Sequence, residues 1–306
     1  MTKVSKNIFS DVIKEELLTV FRKKECCKLS ELCAIVCYAG FMSQDGLRIT
    51  SEKEAIAQRA NRYLKRLFET TGEISPAKTG RGGKCVSLSI TDEEAVARLL
   101  ACLSVTEADG QMRVNPDIYD SECCLRAFLA GAFLSCGYMR DPKLENRLEF
   151  VCPTDRLADD LAKALSHYNL QYLRTSRSNR TVLYIKNKDM IIDALAAFDA
   201  KKSMNDFYDI LVEKEIRSKI NRIDNADSAN LTKTINAQAI HMDAINKIIS
   251  SVGLDYLPVN LRETAVLRIE NIGLSMSELA ELHNPPITKS GVMHRLARIV
   301  KLSQEV

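Results

Sequence analysis

Residues 26 and 27 are both cysteine, and so are residues 123 and 124, 97 positions later. Leu32 and Leu129 keep the same offset, while Val86 and Val182, like Leu99 and Leu195, are 96 apart. A chain that matches itself over such a length is a duplication, and whatever one copy folds into the other must fold into as well. That constraint is stronger than anything composition supplies.

The two copies read alike, element by element. SELCAIVCYAGF and RAFLAGAFLSCGY are apolar helices carrying small residues where a second backbone can come close, and each stops at a glycine, Gly40 or Gly137, suited to end a helix. LRIT and NRLEFVC follow as short strands. Amphipathic helices come next, AIAQRANRYLKRLFE and DRLADDLAKALSHY. Paired strands follow, GEISPAK with KCVSLSI and LQYLRTS with TVLYIKN, before a closing helix. In the first copy that closing helix is expected to open on a capping box, Thr91-x-x-Glu94. Residues 25–198 therefore hold two copies, about 25–105 and 121–198, preceded by an N-terminal helix within 1–24.

Bulk properties exclude several classes. At 306 residues there is room for two domains. A net charge of +3 is too small to announce a nucleic-acid partner, so any such case rests on where the basic residues lie. No run of about 18 apolar residues could cross a membrane. The start carries acids in an amphipathic pattern without a signal-peptide core, so the chain is expected in the cytoplasm. Ten cysteines in a reducing compartment read as small apolar residues, not disulfides. CxxC pairs are missing, and His167, His241, His283 and His294 do not interleave with cysteines. Cys33 and Cys37, four apart on one helix, are the nearest approach to a ligand pair. No metal and no cofactor is expected.

The second hairpin of each copy has a basic tip. Lys78, Arg81 and Lys84 surround a glycine-rich turn in the first, and Arg174, Arg177 and Arg180 a serine-containing turn in the second. Such tips suit phosphates along a groove, although exposed loops are often basic for solubility alone.

From about residue 201 the pattern is helical throughout. Residues 207–223 form an amphipathic helix with Phe207, Ile210, Leu211, Ile216 and Ile220 near one face. A polar stretch, 221–234, interrupts the apolar period before it resumes up to Gly253, so 199–255 reads as a helical linker. In 256–306, Pro258 precedes one helix, Ser275-x-x-Glu278 caps a second, and Asn284-Pro285-Pro286 blocks its continuation. Thr288 is expected to cap the last helix. Val292, Leu296, Ile299 and Val300 fall on one side of it, and Lys289, Ser290, His294, Arg295, Arg298 and Lys301 on the other, with no acid from 287 to 302. A short helix, a tight break and a basic helix make the helix-turn-helix pattern, which also resembles region 4 of bacterial sigma factors. Arg295 and Lys289 are candidates for guanine edges, Thr288 and Ser290 for phosphates or bases, and His294 and Arg298 complete the candidate DNA-binding set.

The run Leu129-Ala-Gly-Ala-Phe-Leu-Ser-Cys-Gly137 resembles the LAGLIDADG signature of homing endonucleases, with Leu32 to Gly40 a weaker copy. That resemblance implies two helices at a pseudo-dyad and two saddle-shaped sheets facing duplex DNA. It also places a magnesium-binding acid at the eighth motif position, where this chain has Ala39 and Cys136. The sixth positions are Cys37 and Leu134, and Asp45 and Asp141 lie beyond, in loops. Metal-assisted hydrolysis needs those carboxylates, so no catalytic residue and no enzyme activity are expected.

The combination of a degenerate LAGLIDADG duplication with a sigma-like helix-turn-helix resembles the WhiA family of Gram-positive bacteria. FSDVIKEELL, CCLRAFLAGAFLSCG, NRIDNADSANLTKT and LRETAVLRIENIGLSMSELAELHNPPITKSGVMHRL carry the resemblance. Where that family reads N-C-E-T-A-N, this chain has Asn225-Ala-Asp-Ser-Ala-Asn230. The expected fold class is α+β: a pseudo-symmetric duplicated αββαββα domain followed by an all-α helix-turn-helix domain. The resemblance implies a nucleoid-associated transcriptional regulator of sporulation, cell division or chromosome segregation. Its partner would be double-stranded DNA, with other transcription or division proteins beside it and no membrane. The competing reading is a scaffold that binds a protein or small ligand and touches DNA only incidentally.

Overall fold

A computed structural model of the chain describes residues 8–43, 45–78, 83–102 and 112–306. Its first copy runs α2 (Glu25–Ala39), β1 (Gly40–Ser43), β2 (Gly46–Ser51), α3 (Glu54–Phe68), β3 (Glu73–Lys78), β4 (Lys84–Ile90) and α4 (Glu93–Cys102), after α1 (Ile8–Thr19). The second repeats it as α5 (Glu122–Cys136), β5 (Gly137–Met139), β6 (Leu148–Cys152), α6 (Asp155–Ser166), β7 (Leu173–Arg177), β8 (Arg180–Ile185) and α7 (Lys188–Ala197). Both copies are αββαββα. Each has a four-stranded antiparallel sheet of the same order, β1-β2-β4-β3 and β5-β6-β8-β7. The fold is α+β, with a duplicated LAGLIDADG-like domain.

The helices α2 and α5 lie side by side, with α1, α3, α6 and the first two strands of each sheet packed on them. Leu32 to Tyr38 is buried without a break, as is Ala127 to Leu134. A helix that is apolar all round belongs in an interior, and here the other motif helix and the two sheets supply it. By contrast α3 and α6 are amphipathic, burying Ile56, Ala60 and Leu64 in one copy and Leu157, Leu161 and Leu165 in the other.

Gly40 and Gly137 end α2 and α5 as expected, in extended conformation, and begin β1 and β5. One local expectation is corrected. The cap of α4 is Asp92, whose Oδ1 accepts from Ala95 N–H at 3.0 Å, not Thr91. A carboxylate one residue closer to the helix answers its orphan N–H groups and dipole better than a threonine hydroxyl.

A charged network is buried in this domain. Glu31, fully enclosed in α2, accepts from Arg22 Nε at 2.7 Å and pairs with Arg59 of α3. Arg59 also donates to Leu18 O at 3.0 Å and Val20 O at 2.7 Å, fixing the end of α1. Arg22 goes on to Asp199 at 2.5 Å, which Arg126 of α5 reaches at 3.2 Å. Buried charges persist only when paired and hydrogen-bonded, and these are.

The remaining elements are α8 (Lys201–Ser251), α9 (Val259–Glu270), α10 (Met276–Glu281) and α11 (Lys289–Leu302). The chain divides into two compact units between Lys214 and Glu215, inside α8. The polar stretch 221–234 interrupts the apolar period, as expected, but not the helix, for α8 is continuous. The stretch contains neither glycine nor proline, and a helix polar all round is an exposed helix, not a broken one. Ile216 and Ile220 are likewise exposed, so the apolar face read from Phe207 is buried only in its first turn. In the second unit Ile245 and Ile248 of α8 join Leu257, Leu261, Leu279, Val292, Leu296 and Ile299 in a separate core.

Candidate nucleic-acid interface

The turn between α10 and α11 is tightly specified. Ser275 and Glu278 form the expected capping box, Glu278 N–H to Ser275 Oγ at 3.3 Å and Ser275 N–H to Glu278 Oε2 at 2.8 Å. His283, buried at the end of α10, meets Thr264 Oγ1 of α9 through Nε2 at 2.9 Å and Leu279 O through Nδ1 at 2.9 Å. Ile287 N–H returns to Ala280 O at 3.1 Å, and Gly291 N–H donates to Thr288 Oγ1 at 3.1 Å, starting α11. The buried Arg268 guanidinium binds Leu274 O at 2.9 Å and Ile272 O at 3.3 Å, holding the α9–α10 link. Burial lowers its pKa.

With Val292, Leu296 and Ile299 anchored in the core, helical geometry decides what α11 presents. Lys289, Ser290, Met293, His294, Ala297, Arg298 and Lys301 are exposed and recur at the spacing of one face. Thr288 is exposed too, with its hydroxyl accepting the cap bond. Arg295 is placed differently from its neighbours. Its guanidinium turns toward α9, donating to Asn260 O at 3.2 Å and lying 3.5 Å from Glu263 Oε2. Sequence spacing alone put Arg295 with His294 and Arg298, because it sits on the flank where two faces meet.

The hairpin candidates separate in the same way. Lys78 and Lys84 are register partners and exposed, while Arg81 lies outside the described residues. In the second copy a two-residue turn at Ser178 and Asn179, both with positive φ, joins β7 to β8. Arg174 is drawn back onto α6, 2.9 Å from Asp155 and 2.5 Å from Asp159, and Arg177 lies 3.4 Å from Glu149. Arg180 instead lines a cavity of about 540 Å³ at the C-terminal ends of the motif helices.

That cavity is where the LAGLIDADG resemblance would put magnesium, and its lining does not fit the ion. Cys136 is buried there, and the other eighth position is Ala39. Four cations, Lys14, Lys53, Lys78 and Arg180, face two acids, Asp11 and Glu52. Asp11 is held by Lys53 at 3.1 Å. Hard divalent ions need an excess of oxygen anions, not of ammonium groups. Burial lowers the pKa of Lys14, which α1 contributes; Cys136, Glu52 and Asp11 oppose that shift. Its role was not visible in sequence, since α1 lies outside the duplication. Asp45 pairs with Arg48 at 3.1 Å, and Asp141 Oδ1 accepts from Lys143 N–H at 2.9 Å, an ordinary turn. Cys33 and Cys37 are both buried, the latter with its thiol toward Arg113 O at 3.9 Å.

Comparison with known proteins identifies both domains. The family model described as the WhiA LAGLIDADG-like domain matches residues 125–217, and that of the WhiA C-terminal HTH domain matches 220–303. A Natranaerobius thermophilus protein named "Probable cell division protein WhiA" is 32% identical over 305 residues, 97% of this chain and 95% of its own length. One of the same name from Alkaliphilus metalliredigens is 33% identical over 307 residues, covering 96% and 97%. The crystal structure of full-length DUF199/WhiA from Thermotoga maritima superposes with a TM-score of 0.58 at 25% identity, over 96% of each chain. By end-to-end identity and by both of its domains, the chain belongs to the WhiA family.

Proposed function

We propose that this chain is a DNA-binding transcriptional regulator acting in cell division, chromosome segregation or sporulation, that it works at the nucleoid in the cytoplasm, and that it does not cut DNA. The observation that carries the reading is the exposed face of α11, on which Lys289, Ser290, His294, Arg298 and Lys301 line up without an acid. In a helix-turn-helix the second helix enters the major groove, its first turns at base edges and its flanks at phosphates. Lys289 and Ser290 then stand nearest the bases, with Arg298 and Lys301 further along. The non-cutting reading is supported by Ala39, Cys136 and the cationic cavity beside them. The name shared by the relatives supports the link to cell division.

A second reading, a protein- or ligand-binding scaffold, draws on the duplicated domain. There Arg174 and Arg177 are spent on carboxylates, while Tyr138 and Leu173 lie exposed in the second sheet.

A gel-shift of the full chain on sheared genomic DNA, with Mg²⁺ present, separates the two. Regulation predicts selective retention of a few uncut fragments, lost in Lys289→Ala/Arg298→Ala. Binding indifferent to that change favours the scaffold, and cut DNA sinks the non-nuclease reading. If both side chains meet phosphates, the salt dependence should also fall by about 0.9 per contact removed.

A further inference from the structure

Four thiols converge where the first turns of α2 and α5 meet. The Sγ atoms of Cys26, Cys27, Cys123 and Cys124 all lie within 4.8 Å of one another. Each copy supplies two, at the second and third residues of helices beginning at Glu25 and Glu122. We propose that these four cysteines form a structural Zn²⁺ site that staples the two copies together at the pseudo-dyad.

Size favours a single ion. Zinc–thiolate bonds of about 2.3 Å make a tetrahedron whose sulfur–sulfur edges are about 3.8 Å, so closing the site asks for shifts below an ångström. An iron–sulfur cage holds its cysteines outside the cluster corners and needs them further apart. Four sulfurs also match the closed Cys₄ set of structural zinc, leaving no open position for chemistry.

The surroundings suit thiolates. Both cysteine pairs sit in the first turn of a helix, at the positive end of its dipole. Ser121 is the N-cap residue of α5, yet its hydroxyl makes no capping bond and lies 3.5 Å from Cys123 Sγ. Serine is among the best N-caps, so a hydroxyl turned to sulfur instead is a second and independent sign. Lys24 holds the same position ahead of α2 and places Nζ 3.8 Å from the same sulfur. These are the donors expected around metal-bound sulfur. The backbone of Cys124 is pinned by Ser30 Oγ, which donates to its carbonyl at 2.7 Å.

Binding forms four Zn–S bonds and releases four thiol protons to solvent. Cys26 is exposed and Cys123 half-buried, so the ion has a way in. The site lies at the far end of two 15-residue helices from the cationic cavity, about 19 Å along the axis.

The test is metal content of the full-length protein, reduced, loaded with zinc sulfate and desalted. One zinc per chain is expected, falling to background in Cys26→Ser/Cys123→Ser and unchanged in Cys102→Ser, a thiol outside the cluster. Circular dichroism checks that the double variant, which keeps the buried Cys27 and Cys124, is folded. Cobalt loading of the unmutated protein adds a readout independent of any variant: tetrahedral thiolate charge-transfer bands, with four thiols shielded from alkylation. A reduced protein that holds no zinc, a double variant that keeps it, or four thiols equally alkylated with and without the ion would each overturn the proposal.

Discussion

Gly131 of α5 is pressed against the backbone of Glu31 in α2: a Cβ built on Gly131 would sit 2.5 Å from the Glu31 carbonyl oxygen and 3.0 Å from the Ala34 Cβ. The pseudo-dyad helix pair is therefore close enough that one hydrogen at position 131 sets its spacing. The same Glu31 carries its side chain into the Arg22–Arg59 network, so helix spacing and buried charge are fixed at one residue.

Replacing that hydrogen should be costly. Gly131→Ala cannot be absorbed by a rotamer, because the obstacle is backbone, and overpacking of this kind costs about 1–3 kcal/mol. Gly291→Ala in α11 is the control: there the nearest atom to a new Cβ is Thr288 Oγ1 at 3.4 Å. Alanine in that helix should be neutral to stabilising by about 0.5–1 kcal/mol. Urea titration of both variants decides it, and equal midpoints would show that the helix pair relaxes freely.

The buried Asp160 should give the domain an acid-sensitive contact. Burial by itself would raise its pKa, but hydrogen bonds from the Arg113 guanidinium, at 2.9 and 3.0 Å, and from Val114 N–H outweigh that and lower it. A depressed folded-state pKa means that the stabilisation is complete above the unfolded value of about 3.9 and is lost as pH falls from there through the folded value. Asp160→Asn should cost about 1.5–3 kcal/mol at pH 7, and the gap to the unmutated chain should close as the pH drops below about 4. A gap that stays constant with pH would mean that the carboxylate charge is irrelevant.

What could be read in advance followed from the duplication, and what could not followed from its limits. An offset of 97 residues already aligned Leu32 with Leu129, and one of 96 aligned Val86 with Val182 in the hairpins, which is why both sheets were legible. The same offset aligned Cys26 with Cys123, but a search for ligand pairs along the chain passes over ligands that only the dyad brings together. Arg22 joins Glu31 to Asp199, 168 residues further along the sequence, and no local pattern marks an acid in an apolar helix as paired rather than exposed. The stretch 221–234 was read as a break in the apolar period of a helical linker, and α8 runs through it, because periodicity reports burial whereas helix continuity depends on having no breaker. In α11 the spacing found the buried face correctly and erred at its edge, at Arg295.

That edge yields the last prediction. Arg295 spends its guanidinium on Asn260 O and Glu263, joining the start of α9 to α11, whereas Lys289 and Arg298 are exposed. Arg295→Ala should therefore act through stability, costing about 0.5–1.5 kcal/mol for the lost hydrogen bonds. DNA affinity measured well below the melting temperature should stay within about threefold, since the interface side chains are untouched. Lys289→Ala/Arg298→Ala should behave in the opposite way, with an unchanged melting temperature and weakened, less salt-dependent binding. Calorimetry and a fluorescence-anisotropy titration on the same three proteins separate the two roles. Loss of binding in Arg295→Ala at an unaltered melting temperature would put its guanidinium on DNA, and would require it to leave Asn260 and Glu263 when DNA docks.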